Sequence, residues 1–290
     1  MKFEVWNFDM SFYVSIIGID GSGKSTVTPA LASLAAAELN VTAAAVGEGL
    51  SCKAPREDLC APGFAPDGEM MSVRIGQWFR WLSKSAAAHR RLYPLLKLLH
   101  LAAQARTVRQ AVDRYQPGVI FSEGNLLLSA AGRAINYVDA HAAASALATL
   151  TNPFLRLEIL YDYVMDGKPL SPDLIRAMPG LKMMRWLRRL DVRLKLGLME
   201  LPDAIVYLDI APEVALARLV ASGQKLDPHE NILDLTQARV MYRHVVSFFR
   251  RRRGERYARV IDVTGLSVGQ TLRHILDFAR TLPIDRGAIP

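Results

Sequence analysis

The stretch Gly18-Ile19-Asp20-Gly21-Ser22-Gly23-Lys24-Ser25-Thr26 constrains this chain more than any other. It follows an apolar run, Phe12-Tyr13-Val14-Ser15-Ile16-Ile17, that reads as a buried strand, and it leads straight into the helical pattern KSTVTPALASLAAAEL. The spacing is G-x-x-x-x-G-K-[ST] between strand and helix, the setting in which backbone N–H groups close around a phosphate. Glycines let the chain curl without Cβ clashes, and the helix N-terminus adds the positive end of its dipole. Lys24 is expected to reach the β and γ phosphates of a nucleotide, and the Ser25 hydroxyl to ligate Mg²⁺.

The rest of the chain continues the alternation that this unit begins. Strands are expected at 41–47 (VTAAAVG), 119–122 (VIFS), 204–210 (AIVYLDI) and 257–263 (YARVIDV), with helices between them. Five strands alternating with helices imply a parallel sheet covered on both faces. Residues 51–69, rich in Pro and Gly, read as an irregular loop, and 70–115 as helices interrupted at Pro94. Residues 126–200 read as a helical insertion: an alanine-rich stretch near 139–149, a segment near 154–165, a Pro-punctuated linker over 168–180 and a basic helix near 181–199. The whole of 1–290 is expected to form one domain that carries this insertion, with a lid near 221–233.

Composition excludes several classes. Hydrophobic residues make up 51% of the 290 and charged residues 22%, enough apolar material for a core and no case for global disorder. Cys52 and Cys60 are too few for a disulfide framework and make no zinc site, which fits a reducing, cytoplasmic setting. No run of about 18 uncharged apolar residues occurs, and Glu4 and Asp9 stand where a signal peptide would be apolar. The net charge of +8 is unevenly spread: segments 72–115, 181–201 and 239–259 hold 9, 6 and 8 Lys/Arg against 1, 2 and 1 Asp/Glu. Such clustering suits an anionic partner or solvated helix faces. WFRWLSKSAAAHRRLYPLLKLLHL and MMRWLRRLDVRLKLGLME mix Trp, Leu and clustered Arg/Lys as interfacial helices do, so a peripheral position at an anionic membrane surface stays open beside ordinary packing. No nucleic acid is expected as partner, and a homodimer is left open.

Within phosphate-loop proteins, a GTPase would need an Asn-Lys-x-Asp guanine motif, and no Asn-Lys pair occurs. LSVGQ at 266–270 lacks a following strand ending in Asp-Glu and reads as a helix start capped by Ser267. GIDGSGKST, VIFSEG, PDAIVYLDIAPEVALARL and VIDV together resemble the thymidylate kinase group of nucleoside monophosphate kinases, over about 1–50, 101–125 and 202–282. The resemblance implies a three-layer α/β/α P-loop NTPase fold with strand order 2-3-1-4-5, ATP as phosphoryl donor and Mg²⁺ as partner. It carries Asp20 into the nucleotide-binding set with Gly18, Gly21, Ser22, Gly23, Lys24, Ser25 and Thr26; without it Asp20 is a turn residue.

The family's second strand ends in Arg-Glu-Pro-Gly and its third in Asp-Arg-Tyr, the two arginines holding the acceptor phosphate. Here Gly47-Glu48-Gly49 and Glu123-Gly124-Asn125 stand there instead, so thymidylate itself is not the expected acceptor. Arg106 or Arg109 is the candidate substitute, and Glu48 a candidate for an acceptor hydroxyl or a plain loop acid. Glu123, after an apolar strand beside the loop, can orient an acceptor hydroxyl, hold Mg²⁺ through water or merely cap the next helix. Asp209, closing AIVYLD, is the alternative metal-side acid. Arg218 and Lys225 are the lid-side candidates for stabilising a transferring phosphoryl group, or are solvated. The expected activity is phosphoryl transfer from ATP to a small-molecule acceptor. The alternatives are a kinase of a membrane-associated lipid or glycolipid and an ATP-binding switch protein without transferase activity.

Overall fold

The computed structural model describes residues 11–47, 52–53, 71–86, 92–132, 153–177, 179–223, 226–227 and 230–284. Glu48, Lys225 and the alanine-rich stretch at 139–149 lie outside the described residues. Five parallel strands form the sheet: β1 (Phe12–Ile17), β2 (Ala43–Val46), β4 (Val119–Glu123), β5 (Ala204–Asp209) and β6 (Ala258–Asp262). The two-residue β3 (Cys52–Lys53) pairs antiparallel with β2, so the full order is β3-β2-β4-β1-β5-β6. Counted among the parallel strands alone this is 2-3-1-4-5, the order expected. The added edge strand falls where an irregular loop was expected; two residues are too short to show any alternation in sequence.

Alternate strand residues face opposite layers, as the pleat requires. Tyr13, Ala44, Val46 and Ile120 pack with Val108, Ala111 and Val112 of α3 (Leu92–Tyr115) on one side. Val14, Ile16, Ala43, Ala45 and Phe121 share the main core with Val27, Leu31 and Ala35 of α1 (Lys24–Leu39). That core also takes in α9 (Ile232–Arg253) and α10 (Val268–Arg280) through Val245, Phe249, Ile275 and Leu276. The C-terminal helix starts as expected: Ser267 accepts from the Gln270 backbone N–H, and the Gln270 side chain accepts from the Ser267 N–H.

The expected break at Pro94 is displaced. The helical region divides into α2 (Met71–Ser85) and α3, and Pro94 falls in the first turn of α3. A first-turn residue has no intrahelical acceptor for its N–H, so proline costs nothing there. The described residues of the segment expected as an insertion form α4 (Leu126–Gly132), α5 (Pro153–Val164), α6 (Pro172–Ala177) and α7 (Pro179–Leu194). The short α6 occupies part of the expected linker. These helices are not appended loosely, because Leu126, Tyr163, Leu181, Met184 and Leu187 build a second core with Leu98 and Leu101 of α3. The remaining helix, α8 (Pro212–Ala221), follows β5 with Pro212 at its first turn. No helix among the described residues is long and apolar enough to cross a membrane.

Candidate functional site

The glycine loop and the end of β4 meet because their strands are neighbours. Register places Ile16 opposite Glu123, and the Gly124 N–H donates to the Ile16 carbonyl at 2.8 Å, which sets the carboxyl end of β4 beside the start of the loop. This is the crevice at the carboxyl ends of the strands where open α/β sheets bind ligands. The loop needs glycine at Gly21: its φ is +80°, and a Cβ there would run into the Ala215 carbonyl of α8. Lys24 is buried, with Nζ donating to the Ile19 carbonyl at 2.8 Å and lying 3.8 Å from an Asp20 carboxylate oxygen. The loop thus wraps its own ammonium.

A cavity of about 410 Å³ opens over this loop. From the expected set it is lined by Asp20, Gly21, Gly23, Lys24, Ser25, Thr26, Glu123 and Arg218. Gly18 and Ser22 do not line it, although Ser22 supports the loop through its N–H, which donates to the Ile19 carbonyl at 3.2 Å. The Arg218 guanidinium is held by the Val263 carbonyl at 3.0 Å. Ser222, Asp227 and Glu230 of the expected lid also line the cavity.

Glu123 is buried at the cavity wall, and its backbone carbonyl accepts from the Gln104 side-chain amide. The cap of α4 is Asn125, whose Oδ1 accepts from the Leu127 and Leu128 N–H groups at 3.0 and 3.3 Å. Gly124 between them has φ +77°, and a Cβ there would come within 2.8 Å of Ser129 Oγ.

The other expected residues are placed elsewhere. Asp209 does not line the cavity, and both its carboxylate oxygens are taken: Oδ1 by Tyr207 at 3.0 Å and Arg239 Nε at 2.6 Å, Oδ2 by Arg239 at 3.1 Å and Arg243 at 2.8 Å. Burial acts to raise its carboxyl, but these donors outweigh burial and hold it below the usual carboxylate range. Arg106 and Arg109 face the connection between α7 and β5 and not the cavity. Arg106 donates to the Leu196 carbonyl at 2.9 Å, while Arg109 pairs with Asp113 at 2.8 Å and with Glu200 at 3.5 Å.

Three cations not singled out from sequence line the same cavity: Arg80 and Lys84 from the last turns of α2, and Lys97 from α3. Their signal was the basic excess of 72–115, but side-chain direction comes only from the α2–α3 packing. Lys97 is buried, and it shares with Lys24 and Glu123 a smaller recess behind the cavity, beside Gln104 and Tyr242.

The oxygen donors at the cavity fit Mg²⁺. That ion keeps several waters and takes one or two protein oxygens plus substrate phosphates, so the Ser25 hydroxyl with a nearby carboxylate of Asp20 or Glu123 matches its habit. Among the described residues no group of three or more His, Cys, Asp or Glu could hold a metal by themselves.

A comparison with protein-family models finds no match, and one with curated protein sequences finds none either. Among solved structures the chain is similar to the deoxyadenosine kinase from M. mycoides with bound dCTP, at 14% identity over 93% of this chain and 100% of that one, with a TM-score of 0.43. The same enzyme with products dCMP and a flexible dCDP bound gives 14%, 93% and 100%, with a TM-score of 0.44. The architecture itself rests on the parallel strand order 2-3-1-4-5 and the glycine loop between β1 and α1.

Proposed function

We propose that this protein is an ATP-dependent phosphotransferase acting on a small-molecule acceptor other than thymidylate. One observation carries the reading: the glycine loop, Glu123 and Arg218 converge on a single cavity of about 410 Å³. The loop N–H groups and the N-terminus of α1 take the nucleotide phosphates, and Lys24 exchanges the Ile19 carbonyl for phosphate oxygens. Mg²⁺, held by the Ser25 hydroxyl with phosphate oxygens, supplies charge neutralisation when bound. Glu123 orients the acceptor hydroxyl and receives its proton as the acceptor oxygen bonds to the γ-phosphorus and ADP leaves. Arg218 faces the charge that develops on the transferred group.

Gly47 and Gly124 support an acceptor other than thymidylate, because the resembling family holds the acceptor phosphate with arginine at those two places. The φ of Gly124 strains any side chain there, and the Ser129 hydroxyl would have to move aside for it. The test is a screen of metabolites with labelled ATP and Mg²⁺, run beside thermal-shift titrations with ATP and ADP. Stabilisation by nucleotide and a phosphorylated product support the reading. Absence of nucleotide stabilisation, or release of free phosphate alone, overturns it.

A further inference from the structure

Of the four tryptophans, Trp78, Trp81 and Trp186 lie among the described residues, and they are exposed to 55%, 63% and 50%. Tryptophan is on average a largely buried residue, so three at half exposure or more need a reason. Each shares its exposed helix face with Lys or Arg, most densely on α7. On α2, Arg74, Trp78, Trp81 and Ser85 recur at helical spacing on the exposed face, and Lys84 is exposed on its flank. On α7, Lys182, Trp186, Arg189 and Arg193 do the same. Positions i, i+4, i+7 and i+11 project from one side of a helix.

Both helices are firmly seated by their other faces. Val73 and Ser83 of α2 are buried, and Ser72 Oγ accepts from Thr107 Oγ1 of α3 at 3.0 Å. Leu181, Met184 and Leu187 anchor α7 in the second core, and the Arg185 guanidinium lies 4.5 Å over the Tyr163 ring of α5. Both helices pack against α3. The outward tryptophans are therefore held out by rigid packing.

We propose that the exposed faces of α2 and α7 dock on an anionic lipid bilayer. Indole rings settle at the headgroup level, and Lys/Arg beside them gain attraction from anionic phospholipid. Charge selects against a second copy of the chain, because twofold docking of either face would set cations against cations. Exposed Ile75 on α2 and Val192 and Leu194 at the end of α7 select against nucleic acid, whose backbone is held by polar contacts and offers these aliphatic groups nothing. This proposal does not depend on the phosphotransferase reading. It has a consequence for it, since Arg80, Ser83 and Lys84 of α2 line the cavity. Docking of α2 sets the cavity within about one helix diameter, roughly 10 Å, of the headgroups, where an acceptor carried in the bilayer can reach it.

The experiment uses the full chain and vesicles of phosphatidylcholine alone or with about 30% phosphatidylserine. Sedimentation with the anionic vesicles only, weakened by added potassium chloride, is the expected result, together with a blue shift of tryptophan emission and its quenching by brominated lipid. The pairs Trp78→Ala/Trp81→Ala and Arg189→Glu/Arg193→Glu should each weaken partitioning by about tenfold or more, with melting temperature and ATP affinity unchanged. The proposal is overturned if the wild-type chain does not sediment with anionic vesicles, if brominated lipid leaves its emission unquenched, or if both variants bind as tightly as wild type. Dimerisation or binding to a short RNA that these variants abolish, without vesicle binding, assigns the faces to those partners instead. Quenching is read on the wild-type chain, so the test stands even where a variant folds poorly.

Discussion

Lys24 Nζ donates to the carbonyl oxygen of Ile19, five residues earlier in the same loop, at 2.8 Å. The ammonium thus lies over the loop's own backbone, ready to exchange one oxygen acceptor for another. Replacing Lys24 by Ala should remove nucleotide-dependent stabilisation and activity. Because the side chain is buried and bonded, the variant should also lose about 1 kcal/mol of stability. Calorimetric titration with ATP and Mg²⁺, beside urea unfolding, separates the two effects; a variant that binds ATP as the wild type does would remove the loop from the mechanism.

Glu123 and Asp209 close the strands on either side of β1, and paired substitutions test which of them serves the reaction. Glu123→Gln should lower turnover on the order of 10²-fold while ATP binding survives. Asp209→Asn should keep turnover and lose about 1–3 kcal/mol, because it removes the charge that faces Arg239 and Arg243 and turns one of the two acceptor oxygens shared by Arg239, Arg243 and Tyr207 into a donor. The reverse pattern, with the Glu123→Gln variant active and the Asp209→Asn variant inactive, would move the metal-side acid to β5.

Gly124 offers a test of backbone conformation. Substitution by Ala adds a Cβ at φ +77° and 2.8 Å from Ser129 Oγ, so a loss of about 1–3 kcal/mol is expected, and Arg at that position should fare no better. Restoring the arginine of the resembling family should therefore not create a thymidylate kinase. Thermal melts of both variants, with thymidylate turnover as the second readout, check this.

Glu200 gives the fold a pH dependence. Burial pushes its carboxyl up from 4.5 to about 7, with Arg109 at 3.5 Å only partly opposing. The folded chain therefore holds a proton there that the unfolded chain releases near pH 4.5, so this contribution is fully present below about pH 4.5 and is lost as pH rises to about 7. Its size is on the order of 3 kcal/mol across that window. Urea unfolding at several pH values should show the decline, and Glu200→Gln should flatten it; an unchanged slope in the variant would assign the dependence to other groups.

What the sequence determined by itself was everything that depends on local chemistry. The strand–loop–helix at Phe12 to Leu39 was legible because apolar run, glycine spacing and helix pattern adjoin in the chain, and the cap at Ser267 because it needs only four consecutive residues. β2, β4 and β5 were readable as short apolar runs whose both faces are buried, while β6, at the sheet edge with Arg259, Val260 and Asp262 exposed, was readable from its place in the alternation.

Tertiary structure alone decided which side chains share the cavity. Arg106 and Arg109 lie on the same helix as Lys97, and only the packing of α3 against α2, α7 and the sheet turns Lys97 inward and the two arginines toward residues 196–200. Asp209 was indistinguishable from Glu123 as an acid closing an apolar strand. What separates them is α9, more than 20 residues further along the chain, which brings Arg239 and Arg243 onto one carboxylate and leaves the other facing the cavity. Side-chain direction is set by long-range packing, and a chain of residue types carries no record of which distant helix will arrive.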